Sequence, residues 1–172
     1  MEKSEPAVAI CDAGPIIHLD ELGALDLVEG FARILIPAAV LGEIARHRPR
    51  VGIMSITQGE AVPDTSSISP GLAALATAFS LDRGETMALA VMEVHPGATF
   101  LTDDSAARLA AESRGARVHG TLGLLVRSIR RGHRTHEQVV ELLQALPSRS
   151  TLHVSQRLLA TVIARVKQFR GG

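Results

Sequence analysis

The stretch that most constrains this chain is AVAICDAGPIIHL, residues 7–19, an apolar run that ends on Asp12 and turns at once through Gly14 and Pro15 into a helical pattern. The run Ala7-Val8-Ala9-Ile10-Cys11 is too short for a buried helix and lacks alternation. It reads as a central parallel strand covered on both faces. A carboxylate at the carboxyl end of such a strand stands where open α/β sheets place their ligands, which makes Asp12 the first functional candidate.

A chain of 172 residues suits one domain around a single core. That core has to be aliphatic, because Trp and Tyr are absent and only Phe31, Phe79, Phe100 and Phe169 are aromatic. No aromatic platform exists for stacking bases, which disfavours sequence-specific single-strand recognition of that kind. Lys plus Arg equals Asp plus Glu at 18 each, so attraction to a nucleic acid has to come from local patches. The lone Cys11 can form no internal disulfide and reads as a small buried residue in a reducing compartment. No run approaches membrane-spanning length and no leader-like segment opens the chain, so the expectation is a cytoplasmic protein with no membrane partner.

The rest of the chain alternates short apolar runs with helical periodicity. Pro15 opens a helix whose apolar positions run through Leu25, with Gly30 closing it. Ile34-Leu35-Ile36 is a second strand, and Pro37 opens a helix bearing Val40, Leu41, Glu43 and Ile44. Residues 51–70 read as loop with one short edge strand. Helices follow over Gly71–Phe79 and Asp82–His95, then a strand over Ala98–Thr102 that ends on Asp103-Asp104. A capped helix covers Ala106–Arg114, and Arg117-Val118-His119-Gly120 gives a brief strand before a helix that Thr121 can cap. Thr135-His136-Glu137-Gln138 has the ends of a capping box for a helix finishing at Pro147, and Ser155–Phe169 is a last amphipathic helix. This order predicts an α/β fold of three layers, α/β/α, around a central, mostly parallel sheet with right-handed crossovers. Residues 1–172 form one domain in this reading, with the helices from about 135 as an appendage.

Topology then brings acids from separate elements to one sheet edge: Asp12, Glu43, Glu85, and Asp103 with Asp104. Clustered carboxylates repel and raise one another's pKa values unless a divalent cation neutralises them. Oxygen-only donors favour magnesium or manganese over zinc. Such ions activate water and stabilise charge on a phosphodiester during in-line displacement. Taken singly, Asp103 or Asp104 could instead cap a helix and Glu43 could be a solvated helix residue.

At these residues the sequence resembles a known family. Ile10-Cys11-Asp12-Ala13-Gly14-Pro15, Ile36-Pro37-Ala38-Ala39-Val40-Leu41-Gly42-Glu43, Arg83-Gly84-Glu85 and Leu101-Thr102-Asp103-Asp104 are similar to PIN-domain motifs, nearest to a VapC-like toxin branch whose third acid is a Glu following Gly. The resemblance runs over nearly the whole chain, including Gly120-Thr121-Leu122-Gly123-Leu124-Leu125. It implies a magnesium- or manganese-dependent ribonuclease, often the toxin of a type II toxin–antitoxin pair and commonly a homodimer, with an RNA substrate and an antitoxin partner. Its products would carry a 5′-phosphate and a 3′-hydroxyl. Matched residue by residue, Asp12, Glu43, Glu85 and Asp104 would be the catalytic, metal-binding acids, with Asp103 a fifth metal-binding candidate. Many members have Asp where this chain has Glu85, which lengthens that ligand arm by a methylene.

Two rival readings exist. A phosphoacceptor receiver domain also clusters acids at strand ends, but its strand-end Lys has no counterpart here, since Lys3 and Lys167 lie at the chain's extremities. A non-catalytic PIN-like module would act only through a protein partner. Among other residues, His18 reads as a partly buried helix histidine within reach of the site, and Thr102 as either a core threonine or an orienting hydroxyl. The Arg46–Arg50 cluster, and secondarily the arginines of Arg127–Arg134, are candidates for contact with an RNA backbone.

Overall fold

The computed structural model describes residues 8–169. Ala7, expected to open the first strand, and Lys3 lie outside the described residues.

Strand β1 (Val8–Cys11) leads into helix α1 (Ala13–Glu21), and β2 (Arg33–Pro37) into α2 (Ala38–His47). The uncertain stretch that follows contains the expected edge strand, β3 (Gly59–Val62). Helices α3 (Pro70–Phe79) and α4 (Arg83–Val94) precede β4 (Thr99–Leu101), α5 (Ser105–Glu112) and β5 (Arg117–His119). Three helices end the described chain, α6 (Thr121–Arg130), α7 (His136–Arg149) and α8 (Gln156–Gln168). The sheet is five-stranded in the order β3-β2-β1-β4-β5, and every strand pair is parallel.

Alternation along the strands divides the core into two layers. Ala9, Cys11, Ile34, Ile36 and Leu101 face one side, where α1, α2, α6, α7 and α8 cover them, while Ile10, Leu35 and Phe100 face α3, α4 and α5. Buried strands can carry apolar residues on both faces only because helices cover both, which is why these runs show no polar alternation. The architecture is the expected α/β/α sandwich. Val139, Leu143 and Leu146 of α7, with Leu159 and Val166 of α8, belong to the cluster under α1, so the C-terminal helices bury apolar surface in common with the first strand.

Two helix ends differ from the sequence reading. The first helix stops at Glu21 rather than continuing toward Gly30, because Gly23 adopts a left-handed φ of +69°. The amides of Gly23 and Ala24 then turn back to the carbonyls of Asp20 and Leu19, which closes the helix as a C-terminal glycine does. Leu25–Val28 forms a separate 3₁₀ turn that keeps Leu27 and Val28 buried. At the other end, α7 runs past Pro147 to Arg149. The Thr135 hydroxyl and Gln138 side chain form the expected reciprocal cap at its start.

The chain winds outward from β1 through β2 to β3, then returns to lay β4 on the other side of β1. The carboxyl ends of β1 and β4 therefore flank the point where strand order reverses, which opens a crevice there. Phe100 of β4 is fully buried. Replacing it with Ala should lower unfolding free energy by about 3–5 kcal/mol in a denaturant titration; a loss under about 1 kcal/mol would contradict this packing.

Candidate active site

Asp12 follows β1 and is 6% exposed. Although it sits at the N-cap position of α1, its side chain makes no cap hydrogen bond. Instead its Oδ2 accepts from the Thr102 hydroxyl at 3.0 Å, and Thr102, fully buried, follows β4. The same hydroxyl oxygen accepts from the Asp104 amide at 3.1 Å. One threonine thus ties the acid after β1 to the acids after β4, which is the orienting role open to it in the sequence.

The two adjacent aspartates diverge. Asp104 caps α5, its Oδ1 accepting from the Ala107 amide at 2.8 Å. Asp103 turns the other way: its Oδ1 accepts from the Thr121 amide at 2.7 Å, and its Oδ2 accepts from the Thr121 hydroxyl at 2.6 Å and stands 2.8 Å from His18 Nδ1. Thr121 is therefore the first residue of α6 and not its cap, and Asp103 fastens α1 and α6 to the end of β4. Gly120 permits this approach, since a Cβ there would lie 2.6 Å from Asp103 Oδ1.

Glu43 on α2 and Glu85 in the first turn of α4 complete the set of expected acids. Glu85 forms a capping box with Asp82: its amide donates to Asp82 Oδ1 and its Oε2 accepts from the Asp82 amide, each at 2.8 Å. Asp82 is a residue the sequence reading placed only at a helix start. Its carboxylate joins Asp12, Glu43, Glu85, Asp103 and Asp104 in lining one open pocket. The Asp82-x-x-Glu85 spacing was the signal available for it.

The electrostatics of this pocket are unbalanced. Burial pushes the Asp12 carboxyl from its ordinary 3.8 up to about 7, against the hydrogen bonds of the Ala13 amide and Thr102 and with help from Glu43 and Asp82. Burial likewise raises Glu85 to about 7, opposed by the Asp82 amide and reinforced by the charges of Asp82, Asp104 and Asp12. Glu43 is raised by burial and by Asp82, while His47 and Arg46 partly offset this. Among the described residues no ion pair involves Asp12, Glu43, Glu85 or Asp104.

The donor set therefore fits a hard divalent cation: carboxylate oxygens from several elements, none of them held in an ion pair among the described residues. Asp12, Glu43, Glu85 and Asp104 are the residues that could hold it. Among the described residues no three acids, histidines or cysteines already surround one point; Glu85 and Asp104 are turned onto the amides at the starts of α4 and α5.

The arginine clusters are largely committed to structure. Arg127 lies 4.1 Å over the Phe31 ring and donates to the Gly30 carbonyl, which Arg131 also reaches. Arg134 pairs with Asp26, and Arg48 with Asp20. Arg46 differs in lining a pocket with Glu43, Asp82 and Gly84, next to the acids.

The structure is an α/β sandwich whose parallel sheet is covered on both faces and whose switch point opens on a pocket of carboxylates. A PIN-domain family model matches residues 8–168, and the chain belongs to the PIN-domain family, whose members are usually nucleases. No curated protein matches the chain. No helix among the described residues is long and apolar enough to cross a membrane.

The raised Asp12 pKa has a definite sign for stability. Between about pH 4 and pH 7 the unfolded chain has released this proton while the folded chain retains it, so this group's contribution to stability falls as pH rises. In chelator, Asp12→Asn should gain on the wild type across that window and be more stable by about 1–3 kcal/mol at pH 8. A difference between the two proteins that does not change with pH would contradict the assignment.

Proposed function

We propose that this protein is a magnesium- or manganese-dependent endoribonuclease of the VapC-like branch, the toxin of a type II toxin–antitoxin pair, acting in the cytoplasm as a homodimer. The observation that carries the reading is the convergence of Asp12, Glu43, Glu85 and Asp104, from four separate elements, on one open pocket, with Asp12 buried and held by the Thr102 hydroxyl. Asp12, Glu43, Glu85 and Asp104 would hold the ion, which would supply an activated water and neutralise charge on the phosphodiester.

The chain's own residues set the geometry. Thr102 holds the Asp12 carboxylate by one oxygen and fixes the start of the Asp104 turn, so the two acids keep their spacing across the switch point. Asp104 uses Oδ1 for its cap, which keeps Oδ2 out of that bond. Glu85 is the third acid, and its longer arm lets it exchange the Asp82 amide for a ligand in the pocket. Asp103, with both oxygens engaged, supports the set by anchoring α1 and α6. In the hydrolysis, a water oxygen bonds to phosphorus as the bond to the 3′ oxygen breaks, and that oxygen takes a proton. The products are a 5′-phosphate and a 3′-hydroxyl.

The test is cleavage of a labelled single-stranded RNA panel by the full chain with manganese, with magnesium and with chelator. Cutting should require a metal and should fall about 10²-fold or more in Asp12→Asn, since several kcal/mol of charge stabilisation are removed. Manganese at about 100 times its dissociation constant should stabilise the wild type by about 2.7 kcal/mol. Cleavage unchanged by Asp12→Asn would contradict the mechanism. Neither cutting nor metal stabilisation would leave a PIN-like module that acts through a protein partner.

A further inference from the structure

The acid pocket is the middle of a longer groove. On the β2–β3 side it shares Glu43 and Asp82 with a pocket formed by the start of α2, Arg46 and Asp64. On the β4–β5 side it shares Asp103, Leu152 and His153 with a pocket lined by Arg108, His119 and Gly120. Asp64 follows β3, Asp12 follows β1, and His119 ends β5, so the three pockets succeed one another along the carboxyl edge of the sheet in strand order.

The β5 end of this groove differs from its acidic middle in holding a loosely partnered guanidinium. At the β5 end, Arg108 reaches back from α5 over the Gly120 backbone, with its Nη2 3.2 Å from where a Cβ would stand. Its partners are weak: the Thr102 carbonyl at 3.4 Å and Glu112, one helical turn away, at 3.6 Å. A guanidinium with five donors keeps most of them free in such a setting. His119 and His153 line the same cavity. Burial holds the His119 imidazole below its ordinary pKa, and the charges of Arg127, Arg130, Arg108 and Arg117 add to that effect. A neutral chain has thus placed positive charge next to its acidic pocket, where an anionic polymer would otherwise be repelled.

We propose that Arg108, with His119 and His153, forms a subsite for a backbone phosphate of the RNA strand, flanking the phosphodiester held over the acids. The inference rests on the RNA-cleaving reading above and assigns the direction of the strand across the sheet edge, from Arg46 beside β2 to Arg108 beside β5. With no Trp or Tyr in the chain, base stacking contributes little, and phosphate contacts are the main handle on a single strand. Arg is suited to that role because its planar fork matches two phosphate oxygens.

The test is equilibrium binding of a fluorescein-labelled single-stranded RNA of mixed sequence to the full chain in chelator, followed by anisotropy over a series of salt concentrations. Arg108→Gln should weaken binding roughly five-fold at low salt and reduce the slope of log K against log salt by about 0.7, the amount for one phosphate on a single strand. Arg108→Lys should restore the slope and only part of the affinity. Thermal melting of each variant separates this from misfolding, and His153→Gln, on the loop before α8, should weaken binding without touching α5. Wild-type affinity and slope in Arg108→Gln and His153→Gln would overturn the subsite while leaving the nuclease reading intact. No RNA binding by the wild type at low salt would overturn both.

Discussion

The structure depends on the pairing of β1 with β4 across the point where strand order reverses. Asp12 donates its amide to the Leu101 carbonyl, extending the ladder one residue beyond β1, and Thr102 donates its hydroxyl to the Asp12 carboxylate. Two segments about ninety residues apart in sequence are thereby locked at the place where a sheet of this topology opens. Asp12, Asp103 and Asp104 come to one edge through this pairing, and α2 and α4 bring Glu43 and Glu85 over it. Elements as distant as α6 are tied in through Asp103, which accepts from the Thr121 amide.

Several carboxylates in one pocket oppose folding, and the fold tolerates them in three ways. Local amides at the starts of α4 and α5 accept part of the load, since Asp82, Glu85 and Asp104 each engage a helix-start amide. The two apolar layers supply stability elsewhere, with Ile10, Ile34, Leu35 and Phe100 buried. What remains falls on Asp12 and Glu85, whose carboxyls sit near 7 instead of in the ordinary acid range. Charge left uncompensated inside a fold is a recurring mark of a functional site. Here it coincides with the switch point and with a family of which most members are nucleases.

Much of this was legible in the residues. Short apolar runs ending on Asp12 and on Asp103-Asp104 marked two strand ends, and the helical pattern of Val40, Leu41 and Ile44 put Glu43 beside them. The different partners of Asp103 and Asp104 were not legible, because successive residues on extended chain point to opposite sides and only the positions of α1, α5 and α6 supply those partners. Asp82 was hidden in plain view: an aspartate three residues before a glutamate reads as a local helix cap, which it is, while its place in the pocket depends on how α4 packs against α2. The early stop of α1 at Glu21 hinged on the left-handed Gly23, whereas Gly30 was the glycine that the apolar spacing singled out. The partners of the arginines were hidden for a different reason. Clustered in sequence, Arg127, Arg131 and Arg134 turn to the Gly30 carbonyl and Asp26, whereas isolated Arg108 reaches the groove because α5 begins at the acids.

The central claim is that the acids at the β1–β4 switch point form a cation site centred on Asp12. The most direct measurement is a carbon-13 NMR titration of the Asp12 carboxyl in the full chain, first in chelator and then with magnesium. The account predicts a midpoint near 7 without metal, and a carboxyl that becomes ionised well below that once magnesium is added. A midpoint in the ordinary aspartate range, unmoved by magnesium, would contradict it.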